Sequence, residues 1–287
     1  MLVLKTELKN AQNVKKFLIQ KDLLDNTRYL EKDETYVYFP ITENLDLAHT
    51  EFNDSKVIEM KLKEKKDTSK KSLRAILKGK LSEEEFEKLK TAHDTIGTIA
   101  ILEIDEELRH KEKEIAEALL KSNKNIKTVL RKDAGHQGEF RTQKMKFLAG
   151  DDTKVTIHKE NNVRLKLDVE KVYFSPRLST ERKRIYQEVK KGENILVMFS
   201  GCAPYPCVLS KNSSAKKILG IELNPEGHKY GVENIELNKL KNVKLICGDV
   251  KKEVPKLTEK FDRILMPLPK DAELFLNVAL FASKKEQ

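Results

Sequence analysis

The stretch Phe199-Ser200-Gly201-Cys202-Ala203-Pro204 follows an apolar run, Ile195–Met198. An apolar strand that breaks into small, turn-prone residues brings backbone N–H groups against a ligand, and glycine permits the closest approach. Two carboxylates stand at the ends of two further apolar runs. Glu222 closes Ile218-Leu219-Gly220-Ile221, and Asp249 follows Val243–Cys247. Ligands of open parallel sheets bind at the carboxyl ends of the strands. Glu222 is therefore placed to accept hydrogen bonds from ribose hydroxyls, and Asp249 to meet an adenine amino group. Each position alone also reads as a plain turn, a loop carboxylate or a helix cap. The ordered set of three points to a nucleoside cofactor.

Those positions need a sheet to hold them, and the pattern from residue 171 onward supplies one. Helical and strand patterns alternate through 183–198, 215–240, 243–250 and 261–269. That alternation predicts an α/β, Rossmann-like, doubly wound and mostly parallel sheet over residues 171–287. Two smaller α/β units are expected before it. The first, residues 1–58, has a strand at Leu2–Leu8, a helix opened by Asn10 with Val14, Phe17, Leu18 and Leu24 on one face, and a strand ending near Pro40. Residues 59–71 read as a linker, with six lysines between Lys61 and Lys71. The second unit, residues 72–170, shows a capping box at Ser82 and Glu85 and a β-branched strand over 95–104. An amphipathic helix follows with Leu108, Ile115, Leu119 and Leu120, then a hairpin turning at Asn161-Asn162.

A net charge of +10 in 287 residues favours a polyanionic partner, nucleic acid above all, over a merely solvated basic surface. No run reaches the roughly 18 apolar residues of a membrane span, and the opening Met1–Asn10 has no signal-peptide pattern. A cytoplasmic protein is expected. Cys202, Cys207 and Cys247 have no metal-ligand spacing and read as reduced thiols, so no metal is expected.

Four segments carry a resemblance. Val197-Met198-Phe199-Ser200-Gly201-Cys202-Ala203-Pro204-Tyr205 keeps the frame Asp-x-Phe-Ala-Gly-x-Gly-Pro-Phe. Ile221-Glu222-Leu223-Asn224-Pro225, the helix that follows it, the stretch 132–152 and Ser175-Pro176-Arg177-Leu178-Ser179-Thr180-Glu181-Arg182 complete the set. Together they resemble the archaeal tRNA guanosine-37 N1-methyltransferase family, S-adenosylmethionine-dependent enzymes of class I. The resemblance covers most of residues 70–280 and, more faintly, the N-terminal unit. It implies S-adenosylmethionine as cofactor, held by Phe199, Gly201, Pro204, Glu222, Leu223, Asn224, Asp249 and Val250. It implies tRNA as partner, gripped at its outer corner by the first unit and at the anticodon stem-loop by the others, with a monomer as the working form.

Methylating guanine N1 requires a base for the departing proton and a donor for charge that builds on O6. The resemblance gives the first role to Glu181 and the second to Arg141. Tyr173 matches an aromatic that orders the site, and Arg177, Arg182 and Lys144 are expected to meet RNA. Three substitutions depart from the family pattern. Val197 removes a polar anchor, Ala203 adds a methyl where backbone is expected to meet the cofactor, and Pro267 lacks the side-chain amide and N–H of the usual asparagine. The chain also ends soon after the helical pattern at 271–281, so the sheet is expected to lack an edge. The alternatives are transfer of the cofactor's aminocarboxypropyl arm to a modified guanosine, and a tRNA-binding relative with impaired catalysis.

Overall fold

Backbone packing divides the chain into two units, Met1–Lys70 and Lys71–Gln287. The computed structural model describes residues 1–45, 47, 52, 54–64, 72–133, 135, 138–268 and 272–284. In the first unit, strands β1 (Leu2–Glu7), β2 (Glu31–Lys32), β3 (Tyr36–Pro40) and β4 (Lys56–Glu59) form an antiparallel sheet in the order β2-β3-β1-β4. Helix α1 (Ala11–Gln20) presents Val14 and Leu18 to Leu4, Val37 and Phe39 in one core. Asn10 stands at the start of α1, but its side chain makes no capping bond. Most of the lysine run, from Lys65 to Lys71, lies outside the described residues.

The second unit opens with α2 (Leu73–Leu77) and α3 (Glu83–Lys88), the latter started by the Ser82–Glu85 capping box. Strands β5 (His93–Ile96), β6 (Ile99–Leu102), β7 (Thr128–Lys132) and β8 (Met145–Gly150) make a four-stranded sheet in sequence order, with β6 and β7 parallel. Helix α4 (Glu112–Ser122) buries Ile115 and Leu119 against Leu77, Leu102 and Val129. The sequence pattern suggests one strand over 95–104, whereas Gly97 breaks it at φ +58° into the β5–β6 hairpin. A Cβ at Gly97 would stand 2.2 Å from Thr156 Oγ1, so the neighbouring hairpin demands glycine there.

That neighbour is β9 (Val155–Glu160) paired with β10 (Val163–Asp168). Asn161 and Asn162 both take positive φ, +39° and +63°, the primed-turn conformation that matches strand twist. The hairpin packs on both sides of the expected boundary after residue 170: Leu167 lies with Ile96, Ile99 and Leu130, and Val163 and Leu165 lie with Ala203, Cys207 and Val208. Fully buried Asn234 fastens it: its side-chain oxygen accepts from Lys166 N–H at 2.6 Å, and its amide donates to the carbonyls of Lys166 and Cys202.

The C-terminal layers comprise α5 (Ser179–Gln187), β11 (Asn194–Met198), α6 (Pro204–Asn212), β12 (Lys217–Glu222), α7 (Pro225–Leu237), β13 (Val243–Cys247), α8 (Val250–Glu253), β14 (Arg263–Leu265) and α9 (Leu276–Ala282). All strand pairs are parallel, in the order β13-β12-β11-β14. One face of the sheet packs on α5 and α6 through Ile195, Val197, Tyr205 and Leu209. The other packs on α8 and α9 through Leu196, Met198, Val250 and Ala279. Among the described strands, three-residue β14 pairs with β11 alone.

Candidate active site

The glycine loop leaves β11 through three left-handed residues, Phe199, Gly201 and Ala203, at φ +60°, +57° and +63°. Its Gly201 N–H donates to Glu222 Oε2 at 2.5 Å, while Asn224 N–H donates to Oε1 at 2.8 Å. Gly248 N–H donates to the Glu222 carbonyl at 2.8 Å. The structure thus brings the loop, Glu222 and the segment carrying Asp249 to the carboxyl ends of β11, β12 and β13. Burial pushes the Glu222 carboxyl up, against the opposing pull of the surrounding N–H groups. Asp249 starts α8, its carboxylate accepting from Lys251 N–H at 2.9 Å. Phe199 lies edge-on to Phe275, ring centres 4.8 Å apart, and Pro204 opens α6. Leu223 is half-buried beside Glu222.

Two of the expected cofactor residues do not offer free side chains. Asn224 is 6% exposed; its side-chain oxygen accepts from Glu226 N–H and its amide donates to the Lys171 carbonyl at 2.8 Å. Val250 is buried in the apolar layer with Leu196 and Ile221. The expectation for Ala203 is also corrected. Its methyl is fully buried among Val163, Leu165, Cys207 and Val208, in the core and away from the open side of the loop. Val197 is likewise a core residue, packed with Ile195, Tyr205 and Leu209.

The open side of the loop lies at Gly201. A Cβ built there meets nothing within 4 Å except the Tyr173 carbonyl, at 3.7 Å. A side-chain-free backbone beside an acceptor carboxylate suits a nucleoside diol, so the donor set fits the cofactor that the sequence implies. Beyond Tyr173 lies a cavity of about 240 Å³ whose walls include Asp94, Glu103, Arg141, Gln143, Tyr173 and Arg177. Arg141 is held at φ +51°, a left-handed conformation that costs energy in a non-glycine residue. Its guanidinium stands 5.7 Å from the centre of the Tyr173 ring. Arg177 is largely exposed, with its guanidinium on Asp94 at 2.7 and 2.9 Å.

Glu181 does not line this cavity. Its carboxylate takes two hydrogen bonds from Arg184, at 2.7 and 2.8 Å, which hold it below the usual carboxylate range. Lys144 is exposed, between cavity residues Gln143 and Met145. Arg182 corrects the expectation of an RNA contact: it is 2% exposed and locked onto Glu160. Pro267 is half-buried after β14, and Pro269 and Lys270 of the same turn lie outside the described residues. Asp94, Glu103 and Gln143 were not legible as site residues. They come from three separate segments, and no local pattern says that these converge.

A parallel sheet with a glycine loop after one strand and carboxylates after the next two defines a Rossmann-like methyltransferase. Residues 156–287 match the TRM5/TYW2 methyltransferase domain, 73–153 the TYW2 N-terminal domain, and 4–48 the tRNA methyltransferase 5 N-terminal domain. The tRNA (guanine(37)-N(1))-methyltransferase Trm5b of Pyrococcus abyssi is 38% identical over 279 residues, 97% of this chain and 80% of the relative. Its crystal structure superposes with a TM-score of 0.69 at 37% identity, covering 99% of this chain and 81% of the other. The Methanocaldococcus jannaschii Trm5b is 36% identical over 97% of this chain and 82% of its own length. The structure of aTrm5 in complex with tRNALeu gives a TM-score of 0.67 at 34% identity, covering 99% and 84% of the two chains. This chain belongs to the TRM5/TYW2 family of methyltransferases.

Proposed function

We propose that the chain transfers a methyl group from S-adenosylmethionine to N1 of guanosine 37 in the tRNA anticodon loop. The observation that carries this reading is the junction of two half-sites. Gly201 of the nucleoside loop abuts the Tyr173 carbonyl, and Tyr173 is a wall of the Arg141 cavity. The names of the Pyrococcus and Methanocaldococcus relatives and the tRNA in the aTrm5 complex support it. A Methanocaldococcus jannaschii Trm5 structure in complex with adenosine supports the nucleoside end (TM-score 0.62, 32% identity, covering 99% of this chain and 83% of the other).

S-adenosylmethionine supplies an electrophilic methyl group when bound. Glu222 accepts the ribose hydroxyls, and the Gly201 loop gives close backbone contact. Arg141 donates to guanine O6 as negative charge builds there, with the Tyr173 ring steering its guanidinium. Glu181 takes the N1 proton, exchanging its hydrogen bonds from Arg184 for the guanine N1–H as the base enters. While paired with Arg184 the Glu181 carboxyl is held low and is a weak base, and release of that pair as guanine enters restores its basicity. Arg177 and Lys144 meet anticodon-loop phosphates, and the N-terminal unit meets the outer corner of the tRNA. The protein works as a cytoplasmic monomer. Among the described residues no helix is long and apolar enough to cross a membrane.

The test is transfer from methyl-labelled cofactor to tRNA transcripts carrying G or A at position 37. Label should enter the G transcript only. Label carried instead on the aminocarboxypropyl arm would favour the TYW2-type reaction, which the match of residues 73–153 to the TYW2 N-terminal domain keeps in play. tRNA affinity without any transfer would favour a binding relative.

A further inference from the structure

A buried charged cluster sits where the hairpin, the Ser175–Glu181 segment and the nucleoside loop come together. Arg182 and Glu160 have side chains only 2% and 4% exposed. Two parallel hydrogen bonds join them, Nε to Oε1 at 2.5 Å and Nη2 to Oε2 at 2.6 Å. Nη2 also donates to the Ser175 carbonyl at 3.1 Å. The guanidinium is near two aromatic rings, 5.3 Å from the centre of Phe174 and 5.6 Å from that of Tyr205. Phe174 and Ser175 belong to the wall of the Arg141 cavity, whereas Tyr205 lies in the first turn of α6, directly after the Gly201–Ala203 loop. His158 extends the cluster. Its Nδ1 accepts from Gly97 N–H at 3.2 Å, so Nε2 carries the proton and points at Glu160 Oε2, 3.6 Å away. Its ring meets Phe174 edge-on at 5.2 Å.

A buried ion pair is poor evidence for stability as such. The distinctive property of the cluster is connectivity. One rigid guanidinium fork touches the segment that receives the target base and the segment that follows the cofactor loop, and Glu160 fixes its orientation from a third. We propose that Glu160 and Arg182 are positioning residues for methyl transfer, setting the Tyr173–Arg177 wall against the Gly201 loop so that the base and the methyl donor meet in line. This rests on the methyl-transfer reading above. Transfer in line depends steeply on alignment, and a misplacement of about 1 Å costs on the order of 100-fold in rate.

Arg182→Lys keeps the charge but cannot span Glu160, Ser175 and both rings. Glu160→Gln keeps the shape but removes the charge and one acceptor. Each should lower the single-turnover rate of methyl transfer by about 10–100-fold, measured well below its own Tm. The tRNA KM and the S-adenosylmethionine Kd should stay within about two-fold of the parent, since both side chains are buried against each other. Arg263→Met serves as control. It breaks the Arg263–Glu193 pair at the opposite ends of the strands and should lower Tm while leaving the rate unchanged. If the two variants lose no more rate than the control, or lose it wholly through weaker ligand binding, the positioning role is refuted. Should the parent protein transfer no methyl group, the functional reading fails, and hydrogen exchange then decides the inference separately. Faster exchange in both 173–178 and 199–205 in Glu160→Gln supports it, and loosening confined to α5 overturns it.

Discussion

Replacing Ala203 by glycine tests whether the loop's departure from the family pattern weakens the cofactor site. Ala203 sits at φ +63° and ψ +37°, a conformation that costs an L-residue about 1–2 kcal/mol relative to glycine. Ala203→Gly removes that strain. It also deletes a fully buried methyl, worth about 0.8 kcal/mol, and adds roughly 0.5–1 kcal/mol of backbone entropy to the unfolded chain. These contributions offset one another to within about 1 kcal/mol, or a Tm shift below about 4 °C for a unit of this size. Because the methyl faces Val163, Leu165 and Val208, S-adenosylmethionine affinity measured by titration calorimetry should change less than about two-fold, well under the 1.4 kcal/mol of a tenfold step. The matching substitution two positions earlier should behave differently. Gly201→Ala places its methyl on the open side, toward Tyr173, and should weaken binding about tenfold, an effect near 1.4 kcal/mol. A tenfold gain in affinity from Ala203→Gly would refute the reasoning, for it would show that the methyl does obstruct the cofactor.

Glu181→Gln should lower turnover by about 10²–10⁴-fold with cofactor affinity intact, and the deficit should shrink as pH rises and guanine N1 ionises unaided; full activity near neutrality would leave Glu181 a mere partner of Arg184. Arg141→Ala should depress turnover at every pH, since the missing donor to O6 is not replaced by alkali; rescue at high pH would remove Arg141 from that role. Glu222 gives a stability signature. Its folded-state carboxyl is raised, mainly by burial, so its contribution is fully present below the ordinary carboxylate value and is lost as pH rises through the folded value. Urea midpoints of the parent should fall across that window, and Glu222→Gln should flatten the fall; identical pH profiles would refute the buried-carboxylate argument.

Much of this molecule is written in short-range patterns. The Ser82–Glu85 capping box, the Asn161-Asn162 turn and the strand–helix alternation after residue 183 each depend on residues a few positions apart. Backbone sterics and helix or strand periodicity therefore determine them locally, and the same alternation places Gly201, Glu222 and Asp249 after successive strands. What the sequence could not determine is where a side chain points once layers dock. Ala203 and Gly201 are two residues apart in one turn, yet one faces the core and the other the cleft, because β10 covers only the first. Arg182 reads as a basic residue in a basic motif, and only the return of the hairpin brings Glu160 against it and removes both from water. Gly97 looks like part of a continuous strand until β9 crosses it and excludes any Cβ. Asp94, Arg141 and Tyr173 share a cavity although they are far apart in the chain. Such convergence follows from which apolar faces bury each other, a property of the whole unit that no local stretch of residues encodes.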